Sequence, residues 1–235
     1  MTTSFPISGD GSEAAGDFVA DFCKRLSDYM PVRVVAPGLS SCQESWGDSV
    51  DVFRFRTPPM ALSNLKLWRP DHQIQTLRIL SAGMHAVRAA VAAGPTAHVF
   101  ALWALPSGHW ARSVAQSSGL PYSIWTLGSD IWSLATIPIV KQHLSRILRE
   151  ANRCFSDGLK LAKETKRVSG RQAEFLPSTR MIQQRRTHPL AQQPPYRYTF
   201  LGRWHKNKGI DLLIDALKLL NDDDWSCIDT IDIYG

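Results

Sequence analysis

Short apolar runs alternate with amphipathic helical segments along most of this chain, and that alternation constrains the fold more than any other feature. Strand-like runs at residues 97–103, 122–127 and 153–156 are each followed by a segment with apolar residues at helical spacing. Parallel strands need crossovers of this kind, and the crossover helices cover both faces of the sheet. The sequence therefore predicts an α/β fold built on a parallel sheet.

The remaining segments extend the same pattern. Further strands are predicted at residues 32–37, 50–55 and 173–176, and the helices at residues 17–28, 73–93, 108–118, 139–151 and 159–168. From residue 177 to 195 the chain becomes polar, basic and proline-bearing, which is typical of a linker. We predict a first domain over residues 1–180, a linker over 181–196, and the beginning of a second domain over 197–235.

A strand, a basic loop and a helix follow one another at residues 198–220. The loop carries Arg203, Lys206 and Lys208, and the helix opens at Gly209 with apolar residues on one face. The N–H groups of a first helical turn, together with nearby cations, bind anions. The pattern fits either a phosphate or diphosphate site or a solvated basic turn.

The charge of the chain favours anionic partners. Its formal net charge is +6 and its pI is near 9.3, which suits a nucleotide, a phosphorylated substrate or an acidic lipid surface. The basic residues are not gathered into an arm with interleaved aromatic residues, which disfavours a nucleic-acid partner. The motifs of P-loop hydrolysis and of dinucleotide binding are both missing.

Cysteine and histidine usage indicates a chain without structural metal or disulfides. The four cysteines lie far apart without C-x-x-C spacing, and the seven histidines form no H-E-x-x-H pattern. Cysteines used in this way favour a reducing compartment. No apolar run is long enough to span a bilayer, and the first residues do not have the pattern of a signal peptide. We expect a cytoplasmic protein that uses no metal.

Ligands of open parallel sheets bind beyond the carboxyl ends of the strands, and several candidate residues fall there. They are Gly16, Ser107, Gly108, His109, Gly128, Ser129 and Asp130. Ser107 and Gly108 either hold an anion or cap a helix. Asp130 either binds sugar hydroxyls, acts as a base, or caps a turn. His109 is a proton-transfer candidate only if it faces the cleft.

Residues 200–217 resemble the GR-x-x-x-x-KG-x-x-x-L-x-x-A segment of retaining GT-B glycosyltransferases of the family 4 type. The matching positions begin with Gly202 and Arg203 and continue with Lys208 and Gly209. The amino-terminal half is similar to the acceptor domain of that family. That similarity lies in residues 3–6, 9–10, 16–19, 103–108 and 126–130.

The resemblance implies a GT-B-type fold of Rossmann-like domains and a hexosyltransferase of the kind used in polysaccharide biosynthesis. A sugar would pass, with retention and without a metal, from a nucleotide-sugar donor to a saccharide or lipid-linked acceptor. Arg203 and Lys208, set between Gly202 and Gly209, would neutralise the donor diphosphate and stabilise the leaving group. The acceptor and the transferred sugar would contact Gly16, Ser107, Gly108, Gly128, Ser129 and the candidate catalytic residue Asp130.

The chain also departs from the family. Leu127 stands where many members have a histidine, so no role of that histidine is carried over. The family's two donor-binding glutamates, and the apolar strand that precedes its Thr-Ser-Phe-Pro loop, fall outside residues 1–235. The alternative hypothesis is therefore a truncated, catalytically inactive GT-B fragment that binds at most a ligand or a partner.

Basic residues are frequent from residue 160 to 186. This segment either contacts anionic lipid while the enzyme handles a lipid-linked acceptor, or forms a solvated helix face and linker. The first alternative predicts a cytoplasmic protein with a peripheral membrane contact.

Overall fold

The structure of the chain is a computed structural model, and it describes residues 1–7, 16–47, 49–58, 69–181, 187, 189–202, 204 and 208–235. Within it the chain divides into two compact units, Met1–Met181 and Ile182–Gly235. The division falls inside the polar stretch that predicts a linker. The roles assigned to the predicted domains stay predictions.

The first unit alternates strands and helices along its length. Its helices are α1 (Asp17–Ser27), α2 (Pro70–Ala92), α3 (Ser107–Ser118), α4 (Ser129–Trp132), α5 (Pro138–Glu150) and α6 (Leu159–Ser169), with a 3₁₀ turn at Leu134–Thr136. Its strands are β1 (Val32–Gly38), β2 (Cys42–Trp46), β3 (Val50–Arg56), β4 (Val99–Leu102), β5 (Tyr122–Thr126), β6 (Arg153–Ser156) and β7 (Glu174–Phe175). The elements predicted for this unit are present with ends shifted by a few residues, whereas β2 and α4 were not predicted.

The strands of the first unit form two sheets. One is entirely parallel, in the order β4-β5-β6-β7, which confirms the α/β expectation. The other has the order β1-β3-β2, in which β1 and β3 are parallel and β2 is antiparallel to β3. The antiparallel edge strand corrects the expectation of a purely parallel arrangement, and such an edge on an otherwise parallel sheet is common.

The first two residues join the two sheets. The Met1 amine donates a hydrogen bond to the Phe100 carbonyl at 2.8 Å, and the Leu102 N–H donates to the Met1 carbonyl at 2.9 Å. The Thr2 N–H donates to the carbonyl of Val35, a residue of β1, at 2.9 Å. Since β1 and β4 are the terminal strands of their sheets, this short backbone segment links one edge to the other.

Apolar side chains pack on both faces of the sheets. Val35 belongs to a cluster with α2, α3, α5 and α6, whereas Val34 and Ala36 belong to a second cluster with α1. Successive strand residues point to opposite faces, so a helix layer on each side buries both sets. Trp110 and Trp125 are the largest fully buried side chains, one in each cluster.

The second unit is smaller and more open. It contains β8 (Tyr196–Leu201), α7 (Ile210–Leu217), α8 (Asp222–Ser226) and β9 (Ile228–Tyr234), with β8 and β9 paired in parallel. Neither α7 nor α8 has a buried residue. Over the whole described chain, no helix combines the length and the apolar character needed to cross a membrane.

Candidate functional site: the strand-end loops and the turn before α7

Asp130 ties together the loops that follow β4 and β5. Its Oδ2 accepts a hydrogen bond from the Ala104 N–H at 2.7 Å. Its Oδ1 accepts from the N–H groups of Gly128 at 3.0 Å and Leu127 at 3.3 Å. The residue is 1% exposed, and backbone donors occupy both oxygens. This geometry favours the turn-capping alternative for Asp130 over contact with sugar hydroxyls or action as a base.

The protonation of Asp130 depends on two opposing effects. Burial raises the pKa of this carboxyl from 3.8 to about 6, while the backbone N–H donors act in the opposite direction. Burial disfavours the charged form, whereas N–H donors favour it. A carboxyl that holds two loops therefore changes its charge near pH 6.

The backbone is strained where these loops leave the strands. Trp103, directly after β4, has φ of 66°, and among the described residues it alone has a positive φ without being glycine. Its N–H donates to the Trp125 carbonyl at 2.9 Å, which fixes it beside β5. Gly128 has φ of 117°, a conformation that side chains rarely adopt. A strained backbone conformation persists only where the surrounding structure holds it in place, and such conformations cluster at functional sites.

Gly16 lies where α1 approaches the first residues of the chain. A Cβ at Gly16 would lie 2.7 Å from the Cα of Phe5, so space rather than conformation requires a glycine. The Phe5 carbonyl in turn accepts from the buried Arg54 guanidinium, which also donates to the Pro37 carbonyl. Gly9 and Asp10, which carry part of the resemblance, lie outside the described residues.

The start of α1 lies beside the β4 and β5 ends. The ring of Phe18, in the first turn of α1, contacts Trp103 at 6.0 Å and Trp125 at 6.1 Å between ring centroids. The structure thus brings the Gly16 region and the two strand-end loops to the same edge of the first unit.

Ser107 and Gly108 are both buried, and Gly108 packs against α5. A Cβ at Gly108 would lie 2.9 Å from Cγ2 of Ile147, so close helix packing accounts for the glycine. Ser107 is the first residue of α3 and Pro106 is its N-cap, and the Ser107 hydroxyl makes no capping hydrogen bond, which contradicts the capping interpretation. Its buried hydroxyl has no partner in the described part of the chain. A role for either residue in ligand contact stays a prediction.

His109 faces α5. Its Nδ1 lies 3.1 Å from Nε2 of His143, and burial is the main cause that lowers the pKa of both imidazoles. Arg112 lowers both pKa values further. A hydrogen bond between His109 and His143 joins α3 to α5, which favours a packing role for His109 over proton transfer at the strand-end loops.

A cavity of about 360 Å³ opens beside α4 and between α5 and α6. It is lined by Ile131, Trp132, Ala135, Thr136, Lys141, Glu164, Arg167 and Val168. Trp132 is 54% exposed, and its ring lies close to Gly128, where an added Cβ would come within 3.1 Å of it. Of the tryptophans near the strand ends, Trp132 presents the most surface, whereas Trp110 and Trp125 are core residues.

A larger cavity, of about 550 Å³, lies between β3 and α2. Phe53, Phe55 and Ala86 contribute to its wall, together with Cys42 and His85. It lies along the body of the sheet, so it is not part of the strand-end site.

The turn before α7 is the candidate anion site of the second unit. Gly209 caps α7 in the left-handed conformation with φ of 78°, and Lys208 beside it is exposed. A Cβ at Gly202 would lie 3.7 Å from the Cβ of Lys208, so the lysine lies at the end of β8. Arg203 and Lys206 lie outside the described residues. Asp211 in the first turn of α7 adds a negative charge to this end of the helix.

A buried hydroxyl cluster at the ends of β5 and β6 was not predicted. Oγ1 of Thr126 lies 2.6 Å from Oγ of Ser156 and 3.2 Å from Oγ1 of Thr165. All three residues are essentially inaccessible to solvent. They are too far apart in sequence for a motif, so only the pairing of β5 with β6 could have indicated the cluster.

Within the described ranges, no three His, Cys, Asp or Glu side chains form a group that could hold a metal ion. No protein-family model matches this chain, and a search of the curated proteins returns no significant match. The resemblance to family 4 glycosyltransferases therefore rests on the residues quoted above and stays a prediction.

Proposed function

We propose that this chain is a retaining glycosyltransferase of the GT-B type, similar to family 4, that takes its sugar from a nucleotide-sugar donor. The observation that carries the proposal is the turn between β8 and α7. There Gly209 adopts the left-handed conformation, and exposed Lys208 stands beside a helix N-terminus. A helix N-terminus with an exposed lysine beside it can bind phosphate groups, which supports the proposal.

In the proposed reaction, the bond between the sugar C1 and the donor diphosphate breaks while C1 bonds to an acceptor hydroxyl oxygen. The diphosphate leaves with the electron pair of the broken bond, and one of its oxygens takes up the proton that the hydroxyl loses. Lys208, with Arg203 as the resemblance implies, would neutralise the charge that develops on the leaving oxygen. Fixed cations accelerate the reaction there because the charge is larger in the transition state than in the bound donor.

The first unit would supply the acceptor side. Asp130 acts as a positioning residue in this proposal, because its carboxylate holds the loops after β4 and β5 rather than facing a ligand. The exposed face of Trp132 offers a surface on which a saccharide ring can pack. The acceptor is then a saccharide or a lipid-linked glycan.

A second candidate is a catalytically silent chain that binds a nucleotide sugar or another anion. The openness of the second unit favours this alternative. In this unit Leu212 and Leu219 are 74% and 84% exposed. A transferase needs a donor site on firmly packed elements, so this exposure favours the silent alternative. Donor binding without turnover would distinguish the second candidate from the first.

Calorimetry with UDP-glucose, GDP-mannose and the free diphosphates, in EDTA, tests the donor site. Lys208→Ala should weaken diphosphate affinity about tenfold or more, since a charged hydrogen bond contributes about 1.5–3 kcal/mol. Lys218→Ala is the matched control, because this lysine is also exposed and lies at the other end of α7.

Transfer is tested by incubating the purified chain with a labelled donor and following hydrolysis and glycoside formation by NMR. The anomeric coupling of the product reports retention. If no donor binds and no donor is consumed, the transferase is excluded, and so is a silent chain that binds a nucleotide sugar. Equal effects of Lys208→Ala and Lys218→Ala would remove the turn before α7 from the donor site.

A further inference from the structure

One backbone edge of β8 has no strand beside it. Among the described residues, β8 pairs with β9 alone. The N–H groups of Tyr196 and Gly202, at the two ends of the ladder, donate to the carbonyls of Cys227 and Tyr234 at 2.8 and 3.0 Å. The even-numbered residues of β8 therefore direct their backbone groups to β9. The odd-numbered residues direct theirs to the opposite side, because these groups alternate along a strand.

The open edge presents the backbone groups of Arg197, Thr199 and Leu201. All three residues are exposed, and each carries one N–H donor and one C=O acceptor. A row of such groups is a template for the addition of another strand. An isolated pair of strands is only marginally stable in water, and further strands stabilise it. The open edge of β8 is therefore a surface suited to a third strand.

The side chains of β8 suit an apolar partner. Tyr196, Tyr198 and Phe200 alternate along the strand, so they lie on one face of it. Tyr198 is 50% exposed, and Leu201 on the other face is 81% exposed. The single charge of the strand, on Arg197, is already paired with a β9 carboxylate at 3.3 Å. The open edge thus combines aromatic surface with little free charge.

We propose that β8 pairs antiparallel with β8 of a second copy of this chain, which joins two β8–β9 pairs into one four-stranded sheet. A two-fold axis at Thr199 places Tyr198 opposite Phe200 of the second copy, and Arg197 opposite Leu201 of the second copy. The odd-numbered residues then form the hydrogen-bonded pairs, with about six bonds in total. The aromatic residues form the closer, non-hydrogen-bonded pairs, in which side chains interact most.

Pro195 favours this register over the neighbouring one. An axis at Tyr198 would place Leu201 opposite Pro195 of the second copy. Proline has no N–H to donate, so that pairing makes fewer hydrogen bonds. The register centred on Thr199 uses only residues that carry both a donor and an acceptor.

Charge and symmetry favour pairing through β8 over pairing through β9. Strand β9 carries Asp229 and Asp232, and pairing two β9 edges would bring the carboxylates of both copies together. Pairing β8 with β9 of another copy leaves an open β8 edge at one end and builds a filament, whereas pairing β8 with β8 closes at two copies. The aspartates of β9 then lie on the outer strands, where charge discourages further addition.

The first experiment is sedimentation velocity of the full chain over about a hundredfold range of concentration. Two six-residue strands make a small interface, below about 1,200 Å², and interfaces of this size belong to weak complexes. The dimer should therefore form by mass action. We expect the mean mass to rise from the 26.3 kDa of one chain toward twice that value and no further.

The second experiment blocks the open edge. Thr199→Pro removes an N–H that points away from β9, so it should abolish the dimer and leave the β8–β9 ladder in place. Thr199→Val is the matched control, because valine keeps the N–H and the branched side chain, and it should dimerise as the unmodified chain does. Circular dichroism and hydrogen exchange in β9 check that each variant is folded.

The third experiment removes the aromatic contacts and keeps the backbone. Tyr198→Ser should raise the dissociation constant of the dimer about tenfold, since each dimer loses two aromatic pairs. Tyr234→Ser is its control, because Tyr234 lies in β9 and is 57% exposed, against 50% for Tyr198. The control should leave the dissociation constant unchanged.

Three results would overturn the proposal. The first is a chain that stays monomeric at every concentration. The second is association that persists in Thr199→Pro or weakens equally in Tyr198→Ser and Tyr234→Ser, which would assign it to another surface. The third is growth beyond two copies, which would indicate pairing of β8 with β9. The experiments contain no donor or acceptor, so their outcome is independent of the glycosyltransferase proposal.

Discussion

The two units of the chain differ in how they are stabilised. In the first, Trp110 and Trp125 are 0% and 1% exposed, and helices cover both faces of the sheets. In the second, α7 and α8 contain no buried residue. The second unit is held by the β8–β9 ladder, the cap of α8 and apolar side chains that are only half-buried, whereas the first has a fully buried core. Substitutions in the core of the first unit should therefore cost more stability than substitutions in the second.

The largest expected effect is at Trp110. Its Nε1 donates to the Leu80 carbonyl at 3.0 Å, its ring meets Phe55 edge-on at 5.2 Å, and Gly83 leaves room for the ring against α2. Trp110→Ala should reduce the free energy of unfolding by about 4 kcal/mol, since it creates a large cavity. Trp225→Ala, at a tryptophan that is 43% exposed in the second unit, should cost less than about 1 kcal/mol. Equal losses in urea unfolding would contradict the comparison.

The next effect is at Asp130. Asp130→Ala leaves the N–H groups of Ala104 and Gly128 without their acceptor and should cost about 3 kcal/mol at pH 4. The pKa of Asp130 is about 6 in the folded state and 3.8 in an ordinary carboxyl, so the folded state binds the proton more tightly. This binding adds its whole contribution to the free energy of unfolding below pH 4, and the contribution is lost as the pH rises through 6. The cost of the variant should therefore shrink over that window.

Urea unfolding of the unmodified chain and the Asp130→Ala variant at intervals from pH 4 to 8 measures this dependence. Asp28→Ala is the control, because that carboxylate is exposed and paired with Arg25. A cost that stays constant or grows with pH would show that the N–H donors, not burial, dominate the pKa of Asp130.

The smallest effect is expected at the cap of α8. The Asn221 side chain accepts from the Asp224 N–H at 2.9 Å, and the Asp224 carboxylate accepts from the Asn221 N–H at 3.1 Å. Asn221→Ala should cost about 1 kcal/mol, and Asn221→Asp should retain the cap. Hydrogen exchange should detect faster opening in α8 and the β8–β9 pair, and no change in β5 or β6. Faster exchange in β5 or β6 would contradict the expectation that the effect stays within the second unit.

Much of the first unit was predictable because its signals are local. Helical spacing and apolar runs place α2, α5, β5 and β6 within a few residues of their observed ends. Strand β2 was missed, because Cys42–Trp46 is mostly polar and is a strand only through its pairing with β3. In β3, Arg54 is 4% exposed despite its charge, since the Phe5 and Pro37 carbonyls and the Glu44 carboxylate receive its N–H groups.

The sequence indicated where the candidate residues lie in the fold, but it did not indicate which groups they contact. Strand ends could be read from the sequence, and the edge where Gly128 and Asp130 lie followed from them. The sequence did not show that the Asp130 carboxylate accepts hydrogen bonds from the Ala104 and Gly128 N–H groups. Ala104 belongs to the loop after β4, which is distant from Asp130 in the sequence. The sequence predicted that a helix opens at Gly209, and in the structure Gly209 caps α7 in the left-handed conformation.

The sequence by itself determined the alternation of strand and helix and the polar stretch between the units. It also determined that a helix begins after Lys208 and Gly209. These depend on residues within one turn or strand. The tertiary structure alone decided which polar groups become partners, as in the Thr126, Ser156 and Thr165 cluster and at Asp130. The physical reason is that a buried hydrogen bond depends on how strands and helices from distant parts of the chain are placed, and no local pattern encodes that placement.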